Sequence, residues 1–343
     1  MYVNQHLHNL KYSVQNMASQ FLKFIFILSI VNLCWSCIKE IDLGVQTSEP
    51  IPVLNGLISS LPSLNVVRFS LTNQPNANSS QPKVPTGSKV TFYRNSEVLW
   101  EGIPDSSGYC DIPTFTANPD DIFSAMAESS DFATLLATDT VPKPAAVFHA
   151  RFIPDAFTDE YGDPLPELSV SFADNPSLTN YYELLFFEIN YAPSVDSSVL
   201  RYYSLPYQPN NILKNEGDQD FRPALYFFSD ELFNGQQVDF RVISSAGVLP
   251  GEKVKGRPWG VMEDGKYLMF KTVSPAWYKY RKQWTRHYYT QTIGSGIANI
   301  SDAILDDFQR LVFAPDPIPM FSNVANGLGV FATCNTKIIK LSE

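Results

Sequence analysis

The chain has 343 residues, 44% of them hydrophobic, and carries 25 basic against 35 acidic side chains for a formal net charge of −10. Such a balance excludes tracking of a phosphate backbone, which rests on clustered lysine and arginine, and it disfavours adhesion of the folded body to anionic lipid. No nucleic-acid partner is expected, and the acidity reads as solubility.

The first apolar run, Phe24 to Leu33 (FIFILSIVNL), follows Lys23 and leads into Ser36-Cys37. A basic residue, a short apolar core and a small residue before a cut are the parts of a secretory signal. The run is shorter than the roughly 20 apolar residues a spanning helix needs, and Ser29 and Asn32 interrupt it. Residues 1–36 are therefore expected to be a signal peptide, with Met17 as the start of its usual length. In Leu33-Cys34-Trp35-Ser36-Cys37, Ser36 suits the position before the cut, whereas Leu33 is too large to precede a cut at Cys34. Cys37 is the expected lipidation site, and Trp35 and Cys34 depart from the stricter lipobox. Residues 37–50 then form a lipidated tether, because the several acyl chains of a mature lipoprotein hold a membrane stably where one does not. The expected location is the outer membrane, lipid-anchored, on the cell surface or on the periplasmic face.

Residues 51–143 read as short strands between turns. Asn65–Thr72 alternates, with Val67, Phe69 and Leu71 on one face, the period of a half-buried strand. Ser88–Arg94 repeats the pattern and Glu97–Glu101 answers it across Asn95-Ser96, a hairpin turn. Tyr109–Phe115, Ile122–Glu128 and Phe132–Thr138 complete the set. About seven short strands separated by turns suggest an immunoglobulin-like β-sandwich, and Val141-Pro-Lys-Pro144 reads as a stiff linker.

Residues 144–343 are expected to form a second β-rich domain, a fibronectin-III-like sandwich. Its strands are Val147–Pro154, Leu168–Ala173, Tyr181–Asn190, Arg222–Ser229, Gln237–Ile243 and Lys266–Val273. A helical excursion near 275–311 interrupts them. Ser274 and Pro275 supply an N-cap and an N1 proline for a helix over Ala276–Tyr289, and Ser301 caps a second helix at Asp302–Leu311. Trp277, Tyr280, Trp284 and Tyr288 recur at spacings of three and four on the first helix. Aromatic rings of this kind stack on sugars or peptides, so these four are the candidate binding residues; the same stripe is also what the buried side of a helix looks like. Gly327 and Gly329 suit a bulge or tight bend into the last strand.

The ending Ser322-Asn323…Gly327-Leu328-Gly329-Val330-Phe331-Ala332 resembles the closing motif of a group of Bacteroidota lipoproteins defined by domain of unknown function 4249. The opening Cys37…Glu40-Ile41-Asp42-Leu43 with Pro52-Val53-Leu54-Asn55-Gly56-Leu57-Ile58, and the segment Val84–Thr91, are similar to the same group. The resemblance implies partnership with a TonB-dependent outer-membrane receptor and implies no enzymatic activity.

Motifs of chemistry are scarce. The body keeps two histidines, His149 and His287, and has no zinc-spaced cysteine pair, no Gly-x-Ser-x-Gly elbow and no phosphate-cradling glycine loop. No cofactor, metal or catalytic residue is expected. The acidic run Asp155, Asp159, Glu160, Asp163 lacks the spacing of a calcium loop and reads as a solvated turn. Cys110 and Cys334 are the two thiols of the body and a possible disulfide outside the inner membrane. The expected role is a binding or accessory lipoprotein for a TonB-dependent nutrient transporter. The alternatives are a structural or adhesive surface protein and, behind it, a secreted hydrolase using His149, His287 or paired carboxylates.

Overall fold

The computed structural model describes residues 49–73, 83–176, 178–203, 206–208, 210–216, 226–244, 252–261, 263–292 and 319–342. The signal peptide, Cys37, the tether to residue 48 and the helix expected at 302–311 lie outside the described residues.

Period-two alternation becomes strand wherever one face finds a core, and the chain is mainly β. The first strands are β1 (Pro52–Ser59), β2 (Val66–Leu71), β3 (Lys89–Arg94), β4 (Glu97–Gly102), β5 (Ile122–Glu128) and β6 (Leu135–Thr140). Then come β7 (Ala146–Thr158), β8 (Pro164–Ala173), β9 (Tyr181–Ala192), β10 (Ser197–Tyr203) and β11 (Pro206–Gln208). A one-turn helix α1 (Asn211–Asn215) precedes β12 (Tyr226–Ser229), β13 (Gln237–Ser244), β14 (Glu252–Lys255) and β15 (Gly265–Val273). The long helix α2 (Pro275–Thr292) and β16 (Phe331–Lys340) complete the chain. Tyr109–Phe115 is not a strand. Asp105 turns the chain there, its carboxylate accepting from the Ser107 and Tyr109 amides, and Tyr109 keeps only an isolated bridge to Arg68.

The strands form three sheets. A large sheet runs β14-β10-β9-β15-β16-β1-β2, with β12 also paired to β9. One small sheet is β4-β3-β5-β6 and the other β11-β13-β8-β7. The boundary expected at 143/144 does not divide the sheets. β1 and β2 join the large sheet beside β16, and residues 49–343 make one compact unit.

Side-chain parity explains the layering. Along β16, Phe331 packs into the core shared with the first small sheet, and Ile339 packs against the core shared with the second. Both positions are odd, so they point the same way from the strand. Both small sheets therefore cover one face of the large sheet, the arrangement of a sandwich with a divided second layer. The core under the first small sheet holds Leu54, Phe69, Phe92, Phe123 and Phe331. The core under the second holds Phe172, Tyr182, Phe186, Tyr226 and Phe240. The even positions of β16, together with Phe187, Ile189, Tyr267 and Met269, turn to the opposite, outer face. That outer face carries the helix and the hollow described next.

Candidate functional site

The helix begins where its sequence signals place it. The Ser274 hydroxyl accepts from the Trp277 amide at 3.4 Å, and Pro275 opens the first turn. What it turns toward the sheet differs from the aromatic stripe. Trp277, Tyr278, Arg281 and Lys282 make its polar contacts, one and four residues apart, because two buried carboxylates lie beneath them.

Glu183 of β9 stands directly across from Lys271 of β15, and both side chains point to the outer face. The Glu183 carboxylate is 1% exposed. It accepts from Lys271 Nζ at 2.9 Å, Trp277 Nε1 at 3.0 Å and Arg281 Nε at 3.1 Å. Burial alone would push its pKa up; the charges of Lys271 and Arg281 and the bonds from Lys271 and Trp277 outweigh that and hold it down at about 2. The second carboxylate, Glu216, closes α1. It accepts from the Ser229 amide at 2.8 Å, Lys282 Nζ at 2.8 Å and the Tyr278 hydroxyl. Burial raises this carboxyl too, and bonds from Lys282, Tyr278 and Ser229 leave it below its ordinary value. Tyr181 stacks on Tyr278 with centroids 4.5 Å apart.

These contacts correct the candidate binding face. Trp277 donates its indole N–H inward, and Tyr280 packs with Ala276, Phe321, Val330 and Ala332 against the base of β16. Trp284 is exposed, but the Arg281 guanidinium lies 4.9 Å from its ring centre. The Tyr288 side chain lies outside the described residues. Trp277 and Tyr280 help seat the helix on the sheet, whereas Trp284 stays exposed.

At the far end of the same face the sheet is not covered by the helix. A hollow of about 420 Å³ opens between Trp259, Val261, Tyr267 and Ile338, with the Glu263–Lys340 ion pair at its rim. That volume falls within the roughly 300–1,000 Å³ of small-molecule sites. Its aromatic wall is rigidly held. Tyr267 stacks on Phe187 at 5.7 Å, Trp259 meets Phe187 edge-on at 5.1 Å, and the Tyr267 hydroxyl donates to the Glu263 carbonyl at 2.9 Å. Trp259 sits at φ 56°, ψ 22°, the left-handed region. A bulky residue there costs about 1–3 kcal/mol and persists only when its surroundings impose it. Its indole N–H meets no hydrogen-bond acceptor among the described residues. The hollow thus offers flat apolar walls and a charged rim. Periodicity could not find it: Trp259 lies in a turn, and its walls come from segments distant in sequence.

The opening and closing motifs of the chain meet in space. Pro52–Ile58 lies in β1, and Gly327–Ala332 leads into β16, which pairs parallel with β1 from Gly56↔Phe331 to Ser59↔Cys334. Asn323 reaches back to exchange two hydrogen bonds with the Phe331 backbone, at 2.7 and 3.0 Å, and Asn55 accepts from the Val330 amide at 3.0 Å. Gly329 has φ +124°, and a Cβ there would fall 2.1 Å from the Leu54 carbonyl oxygen, so only glycine permits this approach. A family model described as "Domain of unknown function (DUF4249)" matches residues 38–339. The chain belongs to the DUF4249 family. No curated protein and no solved structure matches it. In this DUF4249 chain Pro52–Ile58 and Gly327–Ala332 form the seam that joins the first strands to the rest of the large sheet.

Cys110 and Cys334 are both buried free thiols, and the pairing considered from sequence is not formed. Cys110 packs in the core under the first small sheet, whereas Cys334, three residues beyond Phe331, turns to the outer face. Burial pushes the Cys110 thiol up to about 12 and raises Cys334 as well. Asp159 organises the β7–β8 turn by accepting from the Tyr161 and Asp163 amides, at 2.9 and 2.8 Å. Among the described residues no group of histidine, cysteine and carboxylate side chains is placed to hold a metal. His149 lies on β7 and His287 on α2, on opposite sides of the large sheet.

Proposed function

We propose that this chain is a lipid-anchored, non-enzymatic binding protein of the bacterial outer membrane that works beside a TonB-dependent transporter, with the hollow at Trp259 as its ligand site. The observation that carries the binding half is the combination at Trp259: a cavity of ligand size walled by a tryptophan in an unfavourable backbone conformation. Strain is retained where the surrounding structure over-determines it, often at sites that hold a ligand. The ligand class that suits such walls is small, with one flat apolar face and hydrogen-bonding edges.

The anchoring half is supported by Lys23, the apolar run 24–33 and Ser36 before Cys37. No described helix is long and apolar enough to cross a membrane, so attachment would fall to the lipid. A hydrolase using both histidines is disfavoured, because His149 and His287 stand on opposite sides of the large sheet.

Purification of the native protein from solubilised outer membranes tests the transporter partnership: an integral barrel should accompany it, and recovery of none at several salt concentrations overturns that part. Cys37→Ala should abolish lipid labelling, and labelling that persists through Cys34 moves the acceptor. Trp259→Ala should leave the protein anchored and folded but stop uptake of the transported nutrient. Undiminished uptake removes the hollow from the function.

A further inference from the structure

The second small sheet turns one face away from the core, and that face carries a polar trough of about 110 Å³. Three strands build it in register. On the central strand β8, Ser171 lies between His149 of β7 and Asp239 of β13; Ser169 lies between Arg151 and Arg241; Glu167 lies between Ile153 and Ile243. The middle row is unusual. Neighbouring strands are about 4.8 Å apart, so the two arginine backbones stand about 10 Å apart across a serine too short to fill the gap. Both arginines are exposed, and Ser169 is 9% exposed at the floor.

Neither guanidinium makes a side-chain hydrogen bond or ion pair with any described residue, and neither does the Ser169 hydroxyl. Yet Glu167 and Asp239 stand one row away on either side, and the chain as a whole is acidic. Two like charges aimed over one small residue repel each other, and among the described residues no carboxylate bonds to either. An anion seated between them would relieve the repulsion. The guanidinium fork matches the paired oxygens of a carboxylate or phosphate. At about 110 Å³ the trough is well below the roughly 300–1,000 Å³ of whole small-molecule sites, which suits a head group and not a whole ligand.

We propose that this trough is an anion-recognition site in which Arg151 and Arg241 clamp the carboxylate or phosphate head of a small molecule over Ser169. The flanking carboxylates narrow the ligand class. Glu167 and Asp239 repel a bare anion but accept hydrogen bonds from hydroxyl or amine groups next to its head. The ligand is therefore a small organic acid or phosphate carrying such donors, its remainder projecting from the sheet. The site is distinct from the hollow at Trp259, and the two can fail separately.

Titration calorimetry on the full chain at constant ionic strength tests it, with glucose 6-phosphate, gluconate, inorganic phosphate and glucose as probes. At least one of the two oxyanion-headed sugars should bind saturably and glucose should not; whichever head binds more tightly identifies its source. Arg151→Gln and Arg241→Gln should each weaken that binding about tenfold or more, and Arg151→Lys should restore only part of it, since lysine lacks the fork. Glu167→Gln should weaken the hydroxyl-bearing probe while tightening inorganic phosphate, a reversal that general loss of structure does not produce. Lys253→Gln, at an exposed site on β14, should change nothing. The proposal is overturned if neither oxyanion-headed sugar binds, if the two arginine variants bind as the wild type does, or if Lys253→Gln loses as much.

Discussion

Glu183 and Glu263 each pair with a lysine on the outer side of the large sheet, and the two pairs could hardly be less alike. The Glu183 carboxylate is 1% exposed and shared among Lys271, Arg281 and Trp277, under the helix. The Glu263 side chain is 71% exposed and pairs with Lys340 at the rim of the open hollow. Burial makes every partner of the first obligatory, because a charge left alone in the interior is not rehydrated. Exposure makes the second replaceable by water and screened by salt. One face of one sheet therefore carries a buried ion network at one end and an exposed pair at the other, and the ligand-sized space lies beside the exposed pair.

The sharpest way to break this contrast is Glu183→Ala. It leaves Lys271 and Arg281 facing each other without a counter-charge and should cost about 3–5 kcal/mol, read as a lower urea midpoint with an unchanged slope. A combined Glu183→Leu, Lys271→Met, Arg281→Leu variant should recover most of that loss. If the single variant loses no stability, the network is not what seats the helix.

Lys282→Met is the intermediate case. Glu216 keeps its bonds from Ser229 and Tyr278 when Lys282 is removed, so the expected cost is about 1–3 kcal/mol. A loss equal to that of Glu183→Ala would erase the gradation argued here.

Acid provides a third probe. The Glu183 carboxyl titrates at about 2 in the folded chain against an ordinary 4.5, so the folded state holds fewer protons than the unfolded state between those values. Its contribution is complete above about pH 4.5 and is lost as the pH falls toward 2. The stability curve of Glu183→Gln should therefore be flatter than that of the wild type across this window, measured by urea melts at stepped pH. Parallel curves would show that Glu183 is not the group responsible.

The smallest effect is expected at the rim. Lys340→Met and Glu263→Gln should leave the melting temperature where it was. A clear drop in either would mean that the rim pair is structural despite its exposure.

Much of the strand content was legible in advance because a half-buried strand alternates. β5 begins and ends where its pattern does, and β2, β3, β9 and β15 fall within a few residues of theirs. The helix start was legible for an equally local reason, the Ser274-Pro275 signal. Its inward face was not. Trp277, Tyr280 and Trp284 share a helical stripe, but Glu183 and Glu216 decide the rotation, and they lie far away in sequence. Tyr109–Phe115 misled for the reverse reason: its composition suits a strand, and the Asp105 turn holds it otherwise.

The two candidate sites divide in the same way. Trp259 carries no periodic signal and becomes notable only through its left-handed backbone and the walls that β15 and β16 bring to it. Arg151 and Arg241 are ninety residues apart in sequence, and their pairing across Ser169 exists only in the strand register.

Sequence alone determined what depends on neighbours along the chain: the alternation of the strands, the cap of the long helix and the glycines before the last strand. Tertiary structure decided what depends on residues far apart. It placed β1 beside β16 in parallel, joined the first strands to the large sheet across the expected 143/144 boundary, buried Glu183 under Arg281 and set two arginines facing each other across Ser169. The physical reason is range. Backbone propensity and side-chain period act over a few residues, whereas burial, ion pairing and register are set by whichever segments the fold brings together.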